Sequence, residues 1–182
     1  MGAHRGAGLG VLTRPCQGQW SPAPTRWHQE LIGRLYLLFA EFLRGKPCKV
    51  FLAPFDILLP DGEEPDDEIG TGVQPDLLVL CDKGKLRKEG ARGAPDIAAE
   101  ILSPSTSEKD QREKFDLFQR HRVREYWIFD PVGEWMCRYA LGADGRFDEG
   151  ELREPLRAYG SNGSTVLDGF VIEPKELFAD MD

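Results

Sequence analysis

The sequence is short of the features that mark membrane-spanning, secreted and DNA-coating proteins. No apolar run reaches the roughly 18 residues that a spanning helix needs, because charges interrupt every one. The stretch Gly6 to Thr13 is too brief and too glycine-rich for the core of a signal peptide. The four cysteines, Cys16, Cys48, Cys81 and Cys137, are scattered and form no CxxC pair. That argues against a disulfide ladder or a structural zinc, and for a reducing, cytoplasmic setting. Positive charge is in deficit: 23 Lys and Arg face 31 Asp and Glu, leaving a net charge of −8. Such a surface opposes indiscriminate adhesion to polyanions, so a nucleic-acid contact has to be a local basic patch. What is present, 41% hydrophobic and 30% charged over 182 residues, suffices for one core of ordinary size.

Residues 1–26 hold five of the twenty glycines, three prolines and no acidic residue, and show no period of 2 or 3.6. This reads as a poorly ordered leader ahead of a single domain, residues 27–182. From Trp27 on, His28, Leu31, Ile32, Leu35, Leu38, Phe39 and Phe42 recur at helical spacing until Gly45 and Pro47 stop the helix after Arg44. Lys49 to Leu59 is apolar with Pro54 in its middle, which predicts a bent or edge strand. The acidic run Asp61 to Glu68 predicts a solvated loop, since it lacks the ligand spacing of a calcium-binding EF-hand. Pro75 to Cys81 and Pro95 to Leu102 predict two short buried strands, joined by a basic connection from Lys83 to Gly93. Ser105-x-x-Glu108 predicts a capping box for a helix ending near Arg122. Glu125 to Phe129, a turn at Asp130 to Gly133, and Glu134 to Leu141 predict a hairpin. A weak strand around Leu152 to Tyr159 and a short segment behind Pro174 complete the chain. The order helix, strands, helix, strands predicts an α/β (α+β) fold with a mixed sheet flanked by helices.

Two carboxylates stand where burial is expected. Asp76 begins one apolar strand, and Glu100 sits inside the other among alanines and isoleucines that offer it no partner. A buried carboxylate persists only if it is paired, hydrogen-bonded, protonated or bound to a cation. Two of them on neighbouring strands suit a hard divalent ion, Mg²⁺ or Mn²⁺, that keeps water for chemistry. The plainer alternative is that Asp76 caps a turn and Glu100 pairs with an arginine.

The residues Gln74-Pro75-Asp76-Leu77-Leu78-Val79, then Gly93-Ala94-Pro95-Asp96-Ile97-Ala98-Ala99-Glu100-Ile101-Leu102-Ser103-Pro104-Ser105-Thr106, then Lys114 with Phe118, then Val123 to Pro131, stand in a distinctive order. From about Ser21 to Leu141 this sequence resembles the Uma two family of bacterial restriction-endonuclease-like proteins. The resemblance implies the PD-(D/E)-x-K nuclease fold, a mixed central sheet flanked by helices, in which Asp76 and Glu100 match the two positions that bind Mg²⁺. The motif's lysine position is occupied by Leu102. Lys114, on the following helix, is the family position that supplies an amine from elsewhere, to orient water or stabilise charge on the phosphate. Its other reading is a surface lysine paired with Asp110 at i−4. His28 matches a family histidine behind Ser21-Pro22, and reads either as a packed, hydrogen-bonded side chain or as a ligand. Glu30 is the only early acid for an auxiliary role, with Arg34 at i+4 as its rival partner.

The function implied is a Mg²⁺- or Mn²⁺-dependent endonuclease acting on DNA, with Asp76, Glu100 and Lys114 catalytic and a homodimer as the quaternary expectation. Lys83, Lys85, Arg87, Lys88 and Arg92, with Arg120, Arg122 and Arg124, are the cations available for phosphates or for ordinary solvated surface. Tyr126 and Trp127 read as core. Two rivals are a catalytically silent binding or assembly module on the same fold, and a hydrolase of small phosphate esters, which a negative surface tolerates better.

Overall fold

Thr25 opens the first helix: its hydroxyl accepts the backbone N–H of His28, satisfying one of the donors a helix start leaves unpaired. The computed structural model describes residues 24–103, 108–153 and 162–181. The leader expected over residues 1–26 and the capping box at Ser105 to Glu108 fall largely outside these residues, as does most of the strand expected near 152–159. Helix α1 (Arg26–Phe42) buries Leu31, Leu35 and Phe39, one side chain per turn.

The chain continues through β1 (Lys49–Leu52), β2 (Asp56–Leu58), β3 (Gly72–Val73) and β4 (Leu77–Leu80). It then runs through β5 (Leu86–Arg87), β6 (Gly90–Arg92), β7 (Ile97–Ile101) and helix α2 (Glu108–Arg120). The hairpin β8 (Glu125–Asp130) and β9 (Trp135–Ala140) follows, then β10 (Glu151–Arg153), β11 (Asn162–Gly163), β12 (Val171–Ile172) and the one-turn helix α3 (Pro174–Leu177). Six strands form one mixed sheet in the order β1-β4-β7-β8-β9-β10. Only β7 and β8 are parallel there, which is why a helix, α2, has to connect them. Alternation along β7 and β8 divides the core. Ala99, Ile101, Trp127 and Phe129 pack with Leu31, Leu35 and Phe39 of α1. Ala98, Tyr126 and Ile128 pack with Phe118 of α2 on the other face. The mixed sheet flanked by helices is therefore the observed architecture, and Tyr126 and Trp127 are both core residues.

Three local expectations are corrected. Lys49 to Leu59 is two strands in different sheets: a cis Ala53–Pro54 peptide separates them, β1 joins the main sheet and β2 the smaller sheet β3-β2-β6-β5. The basic connection 83–93 is not a bare loop, since it makes a 3₁₀ turn (Lys83–Lys85) and strands β5 and β6. In β6, Gly90 at φ +152° passes so close to β2 that a Cβ would stand 2.2 Å from the Asp56 carbonyl oxygen, which only glycine permits. Third, Cys48 and Cys81 are not isolated thiols. The pairing Lys49↔Leu80 extends by one residue to place them opposite each other, and their sulfurs are bonded at 2.10 Å. A reducing setting is thus no longer supported by unpaired cysteines. Cys137 is free and buried.

Candidate active site

The antiparallel register of β4 with β7 pairs Leu78 with Ala98 and Leu77 with Ala99. One step further along the same register, Asp76 faces Glu100. Both lie on the α2 side of the sheet, since side chains two apart share a face. Two acids 24 positions apart in the chain therefore meet at the end of a buried sheet.

Each has a distinct environment. Asp76 Oδ2 accepts the Ile101 backbone N–H at 2.8 Å and lies 3.3 Å from His28 Nε2. Burial favours its neutral form, but the His28 hydrogen bond and the Ile101 N–H, with the charges of His28 and Lys114, outweigh it and hold Asp76 below its ordinary value. Glu100 is 7% exposed, and its Oε2 sits 2.7 Å from Lys114 Nζ. Its Oε1 is buried without a hydrogen-bond partner. Burial pushes Glu100 up to about 7; Lys114 pulls it down, and the neighbouring Asp76 pushes it up again. The site is thus a carboxylate pair held at two different affinities for a proton, with one oxygen left unsatisfied.

Lys114 reaches Glu100 from α2, 14 residues further along the chain. Leu102, which shares the face of Glu100, packs against the aliphatic and aromatic cluster beneath α2. The ammonium that contacts Glu100 thus comes from α2 and not from its own strand. The side chain of Asp110 lies outside the described residues. His28 is built into the site through Asp76, and its Nδ1 is buried without a partner. Glu30 is not brought to the pair. It bonds Arg34 Nη2 at 2.5 Å, and Arg34 also donates to the Leu177 and Ala179 carbonyl oxygens, so the Glu30–Arg34 pair ties α1 to the C-terminal segment.

Most of the basic residues proposed for phosphate contact are already engaged. Arg92 and Arg87 contact Asp66, Arg92 also donates to the Glu64 carbonyl oxygen, Lys85 to that of Ala94, and Arg124 pairs with Asp96. Arg120 and His121 lie beside Asp61. The acidic loop is exposed, as expected, and its Asp66 also pairs with Arg87 and Arg92 of the basic connection. Sequence reasoning missed a second buried acid, Glu125. It accepts hydrogen bonds from Trp127 Nε1, Ser164 Oγ and Thr165 Oγ1, and faces Arg138, which bonds Glu151 at 2.8 Å. Nothing in the local sequence of Glu125 announces it, because its partners come about 40 residues later.

A sheet carrying helices on both faces, with an acid at the tip of one strand set against an acid and an amine on its neighbours, defines a restriction-endonuclease-like architecture. The family model described as "Uma2: Putative restriction endonuclease" matches residues 15–166, and the chain belongs to that family. Its match begins inside the stretch read as a leader. Among solved structures, the chain is similar to one titled as a putative nuclease belonging to DUF820 from Anabaena variabilis ATCC 29413. That similarity has a TM-score of 0.67 and 19% identity, and covers 88% of this chain and 84% of that one. This shows a shared fold. No curated protein matches. No helix among the described residues is long and apolar enough to cross a membrane.

Proposed function

We propose that this chain is a divalent-metal-dependent endonuclease that hydrolyses DNA phosphodiester bonds, with Asp76 and Glu100 as the ligands and Lys114 as the amine. The observation that carries the reading is the unsatisfied buried oxygen of Glu100 beside a second carboxylate. Two acids pressed together in a poorly solvated place repel each other, and a cation between them would relieve both the repulsion and the missing hydrogen bond. Among the described residues no group of three or more His, Cys, Asp or Glu is gathered for a metal. A two-carboxylate site fits Mg²⁺ or Mn²⁺, which keep several waters and take further oxygens from a phosphate. Such an ion supplies a polarised water and neutralises phosphate charge.

The chain's own residues have definable tasks. The Ile101 N–H and His28 fix one oxygen of Asp76 and so hold the carboxylate in one orientation beside Glu100 without torsional search. Lys114 is more than a third exposed at its side chain. Its ammonium bridges from Glu100 toward solvent, where it can meet a phosphoryl oxygen as negative charge grows there. His28 holds Asp76 in place through its Nε2.

The test is cleavage of supercoiled and single-stranded DNA by the purified full chain with Mn²⁺ or Mg²⁺. Cutting is expected to need the metal and to fall by at least about a hundredfold in Asp76→Asn and in Lys114→Met. Cutting that survives Asp76→Asn, or no cutting of any DNA under these conditions, defeats the reading. In the second case Mn²⁺ calorimetry is decisive: heat that vanishes in Glu100→Gln leaves a metal-binding module, and no heat leaves a silent scaffold.

A further inference from the structure

Beside the carboxylate pair lies a cavity of about 350 Å³ lined by Gln111, Arg112, Phe115, Asp116, Ile128 and Tyr139. Its position follows from the fold. Ile128 is the register partner of Glu100 in the adjacent strand, and Gln111 lies one helical turn before Lys114. Asp76, Glu100 and Lys114 do not line it: the cavity opens over β8 and β9, and α2 with Ile128 stands between it and the carboxylate pair, so it lies to one side of the cut and not on it. Its volume falls at the lower end of the range for small-ligand pockets, about 300–1,000 Å³, room for a single ring system and not for a duplex.

The lining combines two kinds of chemistry. Phe115 and Tyr139 form an aromatic corner, with ring centroids 5.0 Å apart and planes at 84°, backed by Phe147 at 5.1 Å from Phe115. Above that corner stand a side-chain amide, a guanidinium and a carboxylate. Arg112 and Asp116 are exposed and Gln111 is half-buried, and among the described residues no hydrogen bond or ion pair occupies them, so water holds them until a ligand does. Polar groups that stay unpaired around an aromatic floor are suited to a planar ligand with donors and acceptors along its edge. A nucleobase is such a ligand: aromatic side chains stack on its face, and Arg, Gln and Asp read its edge. An apolar ligand would leave all three polar groups desolvated and unpaired, at a cost to its own binding.

We propose that this cavity seats one base of the substrate next to the scissile phosphate, guanine by preference, with Arg112 taking its acceptor edge, Asp116 its donor edge and Gln111 the remaining position. This rests on the nuclease reading above and adds to it the part of the substrate that is read. It also explains how a protein of net charge −8 holds DNA without a broad basic surface. Affinity comes from one unstacked base and a few local cations, and the salt dependence is correspondingly shallow.

The experiment uses the full chain and a library of single- and double-stranded oligonucleotides randomised around the cut. Wild type is expected to enrich guanine at one position flanking the break. Arg112→Ala and Asp116→Ala are expected to flatten that enrichment and raise KM by about tenfold. Cutting with no base bias, or a bias unchanged in both variants, overturns the proposal and leaves the nuclease reading intact. A second measurement does not depend on cutting: in Glu100→Gln, the fluorescence of an oligonucleotide carrying the guanine analogue 6-methylisoxanthopterin is expected to be quenched on binding as the base stacks on the aromatic corner, and not to be quenched in Glu100→Gln combined with Asp116→Ala. Quenching in a protein that cuts nothing keeps the base site and removes the catalytic reading. No quenching removes the base site.

Discussion

Glu100 concentrates the physics of this protein into one side chain. A carboxyl group that ionises near 4.5 in the unfolded chain is raised to about 7 in the folded one, chiefly by burial. Because its folded value is the higher, the stability it contributes is complete below about 4.5 and is lost as pH climbs through about 7. Above that pH the folded protein carries an ion pair's worth of charge in a place with little water, beside a second carboxylate. Glu100→Gln cannot ionise. It is expected to unfold at the same temperature as wild type at pH 5 and at a higher temperature at pH 8, a difference on the order of 1–3 kcal/mol. Melting curves in chelator at the two pH values check this, and a gap that does not change with pH would show that the carboxylate pair is not what sets it. Asp76 has the opposite sign. Its value is lowered, so what it contributes is present at neutral pH and lost on acidification.

At the scale of elements, α2 decides the site, because it carries Lys114 on the side that meets Glu100 and ends where the hairpin must begin. Its end is a six-residue turn: the Arg122 N–H donates to the Gln119 carbonyl oxygen and the Val123 N–H to that of Phe118. This geometry needs a left-handed residue at 122, where φ is +61°. Glycine is the usual occupant, and arginine is there at a conformational cost. Arg122→Gly is therefore expected to stabilise the fold by roughly 0.5–1 kcal/mol in chemical denaturation. A loss of stability instead would mean that the exposed guanidinium contributes more than the backbone strain.

Across the whole molecule, two segments are pinned to the sheet by different chemistry. At the C-terminal end, Glu125 gathers Ser164 and Thr165, and Arg34 of α1 holds the last carbonyls. At the edge of the sheet, the Cys48–Cys81 bond closes a loop of 33 residues across β1 and β4. Closing such a loop restricts the unfolded chain by roughly 2–4 kcal/mol on the chain-entropy account. Reduction is expected to lower the melting temperature and to leave the Cys48→Ser, Cys81→Ser double variant unchanged. Mass spectrometry of the alkylated protein, together with melting curves with and without reductant, reads both. Equal melting with and without reductant in the wild type would mean that the bridge contributes nothing to the fold. β4 also carries the approach to Asp76, so this edge is where stability and the candidate site touch.

The helical period of 27–42, the alternating or continuous apolar runs of the main sheet and the turn before Trp135 are local properties, and each appears in space where the spacing placed it. Asp76 and Glu100 stood out for a related reason, since a charged group among apolar neighbours is an anomaly within a few residues, whereas Lys114, flanked by charged residues, entered only through the family resemblance. What was not legible depends on register. The meeting of Cys48 with Cys81, the capture of Asp66 by Arg92 and the shell of Glu125 all join residues tens of positions apart. Local composition is blind to such partners. In this protein the amino-acid order determined which strands and helices form and which acids needed an explanation. Only the packing of β4 on β7 and of α2 on that sheet decided that those acids face each other, that the Lys114 ammonium of α2 meets Glu100, and that Glu30 pairs elsewhere. A one-residue change of register would have turned Asp76 and Glu100 to opposite faces, and the energy that prevents it is the burial of Leu77, Leu78 and Ala99 on their proper sides.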